Sequence, residues 1–322
     1  MQTTWKMMQI KEMSGSPVAG ELALAQPAPG EVLVRLRAAA LNFADLLMTR
    51  GRYQETPPLP FIPGLEGAGE VLAAGPGVAL APGTRVVVQS QGTMAEANLF
   101  PAECCHPIPD AMRYEEAAGF LIAYGTSHFA LTLRAGLRPG ETLAVLGAAG
   151  GVGLTAVEVG AALGARVIAV ARGAEKLAVA RAAGAAECID SDTCPDLRAA
   201  LRDLGGVDVV YDPVGDAPGE AAFGALHPGG RFLVIGFAGG KPPALPLNHA
   251  LVKNIAVHGF YWGGYRKLDP ALLRQDIAAL FALYNAGRLR PHVGATLPLE
   301  RLAEGYELLE SRRSTGKVIV SI

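Results

Sequence analysis

Metal-binding and disulfide-forming residues are scarce in this chain. Its 322 residues include four cysteines, Cys104, Cys105, Cys188 and Cys194, two of them adjacent. Neighbouring cysteines bridge each other only with strain, and no pair has the spacing of a zinc lobe. A disulfide scaffold and a structural zinc motif are therefore excluded. The six histidines are scattered without ligand spacing. Charge is nearly balanced, 28 basic against 30 acidic side chains, so nothing points to a nucleic acid or an anionic membrane as partner. No Ser-His-Asp constellation with a nucleophile elbow occurs, and no P-loop lysine follows the glycine-rich turn. The first residues carry Lys6, Lys11 and Glu12 and no apolar signal core, which leads to the expectation of a cytoplasmic protein. One stretch, 143–171, is apolar enough to imitate a membrane span. Glu158 lies near its middle, however, where a carboxylate costs roughly 2.5–3.5 kcal/mol in lipid.

Glycine and proline are plentiful, at 40 and 23 residues. Up to residue 124 they form turns at 27–30, 57–64 and 82–83, between short runs such as 31–37 and 69–73 that alternate or carry branched side chains. Many short strands with such turns suggest a barrel-like domain. From Tyr124 onward helix and strand alternate. Helices are expected over 175–183 and 196–204, each ended by glycine, and strands over 207–211 and 231–235. This rhythm predicts a doubly wound parallel sheet, with ligand contacts at the carboxyl ends of its strands, 212–215 and 236–239. A long helix over 270–285, a short one near 299–309 and a closing strand over 317–322 follow.

The most informative run is Leu143-Ala-Val-Leu-Gly-Ala-Ala-Gly-Gly-Val-Gly153, followed by a helical pattern and a second apolar strand, 166–172. Strand, glycine turn, helix and strand in that order make the dinucleotide-binding βαβ unit. Gly150 lets the backbone approach a pyrophosphate and Gly153 lets the helix pack close to the strand. The helix N-terminus offers unpaired N–H groups and the positive dipole end. Ala148 stands where the first glycine of the motif is usual. The second strand closes on Arg172, with Lys176 one helical turn further, where an acidic residue would accept from a plain ribose. Two cations suit a 2′-phosphate, so NADPH is the expected cofactor.

Together with Gly30-Glu-Val-Leu-Val34, Leu41-Asn-Phe-Ala-Asp45, Pro60-Phe-Ile-Pro-Gly-Leu-Glu66, Pro82-Gly-Thr-Arg-Val86 and Thr315-Gly-Lys-Val-Ile319, this run resembles the zinc-independent quinone oxidoreductases of the medium-chain dehydrogenase/reductase superfamily over essentially the whole chain. The resemblance implies an α/β protein with two domains. A GroES-like β-barrel domain, residues 1–124 and 265–322, would surround a Rossmann domain, residues 125–264. It also implies an NADPH-filled cleft and a homodimer joined through the Rossmann sheets.

Carried over residue by residue, the resemblance makes Asn42, Asp45 and Tyr53 the candidate catalytic residues. Thr126, opening a linker helix, and the turn Ala149, Gly150, Gly151, Val152 and Gly153 become cofactor-binding candidates. Arg172, Lys176, Gly236, Phe237, Phe260 and Lys317 join them. Two departures stand out: Leu46 and Leu47 replace a tyrosine found in some members, and Ser191 stands where a tyrosine often contacts the adenosine phosphate. Asn42 and Leu65-Glu66 occupy the places of the Cys and His-Glu ligands of zinc alcohol dehydrogenases, so no metal is expected. Asp45 and Glu66 are read as separate hydrogen-bonded structural residues. The expected reaction is hydride transfer from NADPH to a quinone or similar activated acceptor. Reduction of an enone or enoyl-thioester C=C bond and non-catalytic NADPH sensing are the alternatives.

Overall fold

The computed structural model describes residues 4–322. The chain forms two compact units: one runs to Ile122 and resumes at Pro291, and the other is Ala123–Arg290.

The first unit is organised by the strand Glu31–Leu41. Val32, Val34 and Leu36 alternate inward, as a half-buried strand requires, and the run Ala38–Leu41 is buried throughout. One edge of this strand pairs with Glu66–Ala74. The other edge is shared: Ala97–Pro101 takes its first half and Lys317–Ser321 its second. Register shifts at Leu33/Val34 and Leu36/Ala38 bend the strand between these partners. Arg85–Val88 and Cys105–Pro107 extend the sheet beyond Glu66–Ala74, and Val293–Pro298 pairs parallel with the closing strand. Valines of three strands pack with Phe100 in one core, and Leu41, Leu46, Met94, Leu302 and Val318 in another.

In the second unit six strands are all parallel, in the spatial order Glu187–Asp190, Arg166–Ala171, Thr142–Leu146, Val207–Asp212, Leu226–Val234 and Ala256–Gly259. Their near-continuous apolar runs follow from burial on both faces. The chain moves outward on one side of Thr142–Leu146, then returns to build the other side, so the strand order reverses at that strand. The fifth strand starts five residues before the expected 231, because Leu226 pairs with Val207 and the chain then bulges through the turn at Gly229 (φ +77°) before Arg231 pairs with Val209.

The expected boundary at 265 does not coincide with the division of the chain: residues 265–290 belong to the second unit. Tyr265 packs on Phe129 with ring centroids 4.5 Å apart. In the helix Pro270–Asn285, Asp276 accepts from Trp262 Nε1 at 3.4 Å and lies 2.5 Å from His128 Nδ1. The Trp262 indole lies so close to the helix Leu121–Phe129 that an added Cβ on Gly125 would sit 2.4 Å from it. The apolar period of 270–285 predicts a helix with a buried face and is silent on which unit buries it.

Both passages of the chain between the units are tied to one side chain. Glu158, in the helix Gly151–Ala162, accepts from the Tyr124 hydroxyl through Oε2 and from the Arg290 backbone N–H through Oε1. Burial pushes its carboxyl upward against these two hydrogen bonds.

Candidate functional site

The glycine turn sits at the reversal point of the parallel sheet. Gly147 takes the positive φ that the turn needs (+58°), one residue before the motif's usual first glycine, which is why a buried alanine is accepted at 148. The Ala148 N–H donates to Val170 O and the Gly150 N–H to Gly147 O, closing the turn against the neighbouring strand. A Cβ on Gly153 would lie 2.1 Å from Gly147 O, so strand and helix approach as only glycine permits. Over Gly150 an added Cβ would meet only Gly147 O, at 3.3 Å, and no side chain caps the helix that starts at Gly151. The first helical N–H groups are therefore left for an anion. Behind them Ser127 Oγ lies 2.8 Å from Thr155 Oγ1 and 3.1 Å from the Tyr211 hydroxyl, a buried chain that sequence reading missed. Thr155 lies one turn inside the glycine helix, and only the tertiary fold brings the three hydroxyls together.

Arg172 directly follows the strand Arg166–Ala171 and is exposed, and Lys176 lies half-buried on the next helix, Ala174–Ala182. Between them the Gly173 N–H donates to Asp190 Oδ1 at 3.0 Å, joining the ends of two neighbouring strands. That bond and one from Asp192 hold the Asp190 carboxyl below the usual range. At the fourth strand end the buried Asp212 accepts from the Val214 and Gly215 N–H groups, both at 2.8 Å, and shapes the turn there. Gly236 and the exposed Phe237 follow the fifth strand, with the Ala238 N–H donating back to Pro213 O. The glycine turn, Arg172, 212–215 and 236–237 thus lie at the carboxyl ends of adjacent parallel strands.

Two cofactor candidates are placed differently from expectation. Thr126 lies inside the helix Leu121–Phe129 and does not open it. The Phe260 ring is buried in a cluster with Phe129 and Tyr265, whereas Tyr261 is the exposed aromatic of that loop.

In the first unit Asn42, Asp45, Glu66 and Lys317 come together as one buried polar cluster. Asn42 is the N-cap of the helix Phe43–Thr49, yet its side chain makes no cap hydrogen bond. Its Nδ2 donates to Glu66 Oε1 at 3.1 Å, and its Oδ1 accepts from Lys317 Nζ at 2.7 Å. Asp45 does the capping, accepting from the Asn42 N–H at 2.8 Å. Lys317 Nζ also donates to Glu66 Oε1 at 2.8 Å and to Leu41 O at 3.1 Å, so three acceptors take its three hydrogens inside the unit. Glu66 is fully buried, and its Oε2 accepts from the Ile122 N–H. Asp45 caps the helix while Glu66 pairs with Lys317 and the Ile122 N–H, so the two carboxylates have separate hydrogen-bonded roles, as expected. Tyr53 lies apart from this cluster and packs on Ile10, Met48 and Phe61. Among the described residues no group of three or more His, Cys, Asp or Glu side chains is arranged to hold a metal ion.

Burial pushes the Asp45 carboxyl up to about 7, opposed by the Asn42 N–H and the Lys317 charge and assisted by the Glu66 charge. A raised acid stabilises the fold fully below its unfolded value. That stability is lost as pH rises through the folded one, because the unfolded chain ionises first. Asp45→Asn keeps an oxygen for the Asn42 N–H and removes the ionisation. Between pH 5 and pH 8 the unmutated protein should lose about 2–3 kcal/mol of stability relative to this variant. Denaturant unfolding at both pH values measures the difference, and parallel profiles would contradict it.

Comparison with known proteins agrees with this architecture. The alcohol dehydrogenase GroES-like domain family matches residues 28–110, and the zinc-binding dehydrogenase family matches residues 151–280. Quinone oxidoreductase-like protein 2 of Mus musculus is 37% identical over 321 residues, covering 98% of this chain and 89% of that protein. The quinone oxidoreductase of Thermus thermophilus, whose structure was also solved with NADPH, superposes with a TM-score of 0.87 at 34% identity over 98% of this chain and all of that one. The Escherichia coli quinone oxidoreductase complexed with NADPH gives a TM-score of 0.90 at 28% identity, with the same coverage. With its inserted parallel sheet, its glycine turn and relatives matched end to end, the chain belongs to the zinc-independent, quinone-oxidoreductase type of the medium-chain dehydrogenase/reductase family.

Proposed function

We propose that the chain is an NADPH-dependent oxidoreductase whose acceptors are quinones or similarly electron-poor compounds, and that it works without a metal. The observation that carries this reading is the glycine turn at the sheet's reversal point, where Gly153 packs on Gly147 O and the helix N-terminus is left uncapped. That cradle fits a pyrophosphate, and the names of the NADPH-complexed quinone oxidoreductases support the choice of dinucleotide. The first helical N–H groups would hold the pyrophosphate, Arg172 and Lys176 would meet the 2′-phosphate, and the backbone around Gly236 would border the cofactor. When bound, the nicotinamide supplies the hydride.

The chain's own residues set what can accept it. Asn42 and Leu65 stand where zinc relatives place ligands, so a simple ketone would find no Lewis acid here. An electron-poor acceptor needs only positioning at about 3–3.5 Å and a donor to its oxygen. Asn42, at the margin of its buried cluster, supplies that donor. A homodimer is supported by the outer strand Ala256–Gly259, which carries the exposed Val257, and by Leu247, Leu251 and Val252, each more than 70% exposed on the helix Leu247–Lys253.

With NADPH in excess, a benzoquinone or naphthoquinone should be reduced faster than an enone or an enoyl-thioester, and faster than ethanol is oxidised when NADP is supplied instead. A strong chelator should leave the rate unchanged. Following NADPH absorbance under one condition tests this: alcohols outpacing quinones, or zinc-restored loss on chelation, would refute it.

NADPH should bind roughly 10- to 150-fold tighter than NADH, the value of one charge-assisted contact. Arg172→Ala should remove much of that gap and leave NADH binding nearly unchanged. Equal affinities in the unmutated protein, by fluorescence titration, would contradict the assignment.

Sedimentation should show a dimer at micromolar concentration, and Leu251→Lys combined with Val257→Lys should yield a folded monomer. A monomeric unmutated chain would remove the dimer from this reading.

A further inference from the structure

Asn42 presents a planar carboxamide to two opposite charges. Its oxygen accepts from the Lys317 ammonium at 2.7 Å, and its nitrogen donates to the Glu66 carboxylate at 3.1 Å. Turning the amide by half a revolution would set NH2 against the ammonium and C=O against the carboxylate. Two charge-assisted hydrogen bonds would be exchanged for two repulsive contacts in a site shielded from water. The charges themselves are fixed. Lys317 and Glu66 bond each other at 2.8 Å, Leu41 O takes the third ammonium hydrogen, and the Ile122 N–H holds the far carboxylate oxygen. Glu66 has no exposed surface, whereas the Asn42 residue keeps 9% exposure, so Asn42 is the member of this pair at the margin of the cluster. A carboxamide has two N–H donors and two acceptor sites. One of each is used inward, and the lock decides on which side the remaining N–H lies.

We propose that Lys317 and Glu66 are positioning residues that hold the Asn42 carboxamide in a single orientation, so that its second N–H is directed at the acceptor oxygen on which charge develops. This rests on the reading of the chain as a reductase of electron-poor acceptors. It gives Lys317 a part in the reaction exerted through Asn42, not through a bond to the cofactor, because the ammonium has no hydrogen left over.

The test is a double-mutant cycle read in two parameters, the turnover of one quinone and the dissociation constant of NADPH measured by fluorescence. Asn42→Ala and Lys317→Met should each lower kcat by about 10²-fold and leave NADPH affinity within about threefold. The double variant should be no slower than Asn42→Ala alone, since Lys317 has nothing left to position. Losses that multiply would overturn the proposal by showing an independent effect of Lys317. A tenfold or greater weakening of NADPH by Lys317→Met would overturn it in favour of direct cofactor contact. Lys317→Met leaves a carboxylate buried alone, so if it fails to fold, Lys317→Met/Glu66→Gln, which buries no net charge, takes its place with the same expected pattern. Should the unmutated protein reduce no acceptor, the functional reading fails, and the lock is still measured with [15N]Asn-labelled protein. The carboxamide signals lost in Asn42→Ala should be protected from solvent exchange in the unmutated chain and lose that protection in the Lys317 variant. Unchanged protection would overturn the lock itself.

Discussion

A buried ammonium must find acceptors, and in this protein Lys317 finds them in two segments that are far from it in the sequence, at 41–42 and at 66. The backbone before Asn42, the Asn42 amide and the first residue of the strand Glu66–Ala74 converge on its three hydrogens. Removing one partner of such a pair typically costs about 3–5 kcal/mol, because the other is left charged and unpaired. The closing strand must therefore return to the first unit and pair with Ala38–Leu41 in the register that brings its first residue beside Leu41. The return of the chain to the first unit is thus held by this ion pair together with the backbone pairing of the closing strand.

The second unit depends on a contact of the opposite chemical kind, the absence of side chains at Gly147 and Gly153. A carbonyl oxygen occupies the place where a Cβ would be, and this lets the helix Gly151–Ala162 start against the strand it follows. The start of that helix is braced from behind by Ser127 and Thr155, whose hydroxyls both donate to Val152 O. At the glycine turn the polar groups on offer are backbone N–H groups, whereas the cluster around Asn42 in the first unit is built of side chains.

This contrast explains what could be read from the residues alone. The glycine run, the alternation of helix and strand and the parallel sheet are local signals, written in spacing and period, and they correspond to the observed order of strands. Ala148 looked like a departure from the motif only because the positive φ lies one residue earlier, at Gly147. The cluster around Asn42 was legible only as separate candidates. Nothing in the sequence pairs Lys317 with Glu66 across 251 positions, and a charged residue reads as exposed until its partner is known. The same limit applies to Phe260, Thr126 and the helix Pro270–Asn285: periodicity fixes which face is buried and leaves open what buries it.

Glu158 has a further consequence for how such a chain can assemble. With Tyr124 and Arg290 bound to the two oxygens of one carboxylate, the ends of the inserted unit are held side by side. To the surrounding unit the insertion then behaves as a short loop. Closing a flexible loop of about 170 residues instead of one of about five would cost roughly 3 kcal/mol more in chain entropy. An inserted domain that fastens its own ends spares its host that loss. The helix whose N-terminus no side chain caps is, at its middle, the clasp that turns a long excursion of the chain into a near-neighbour connection.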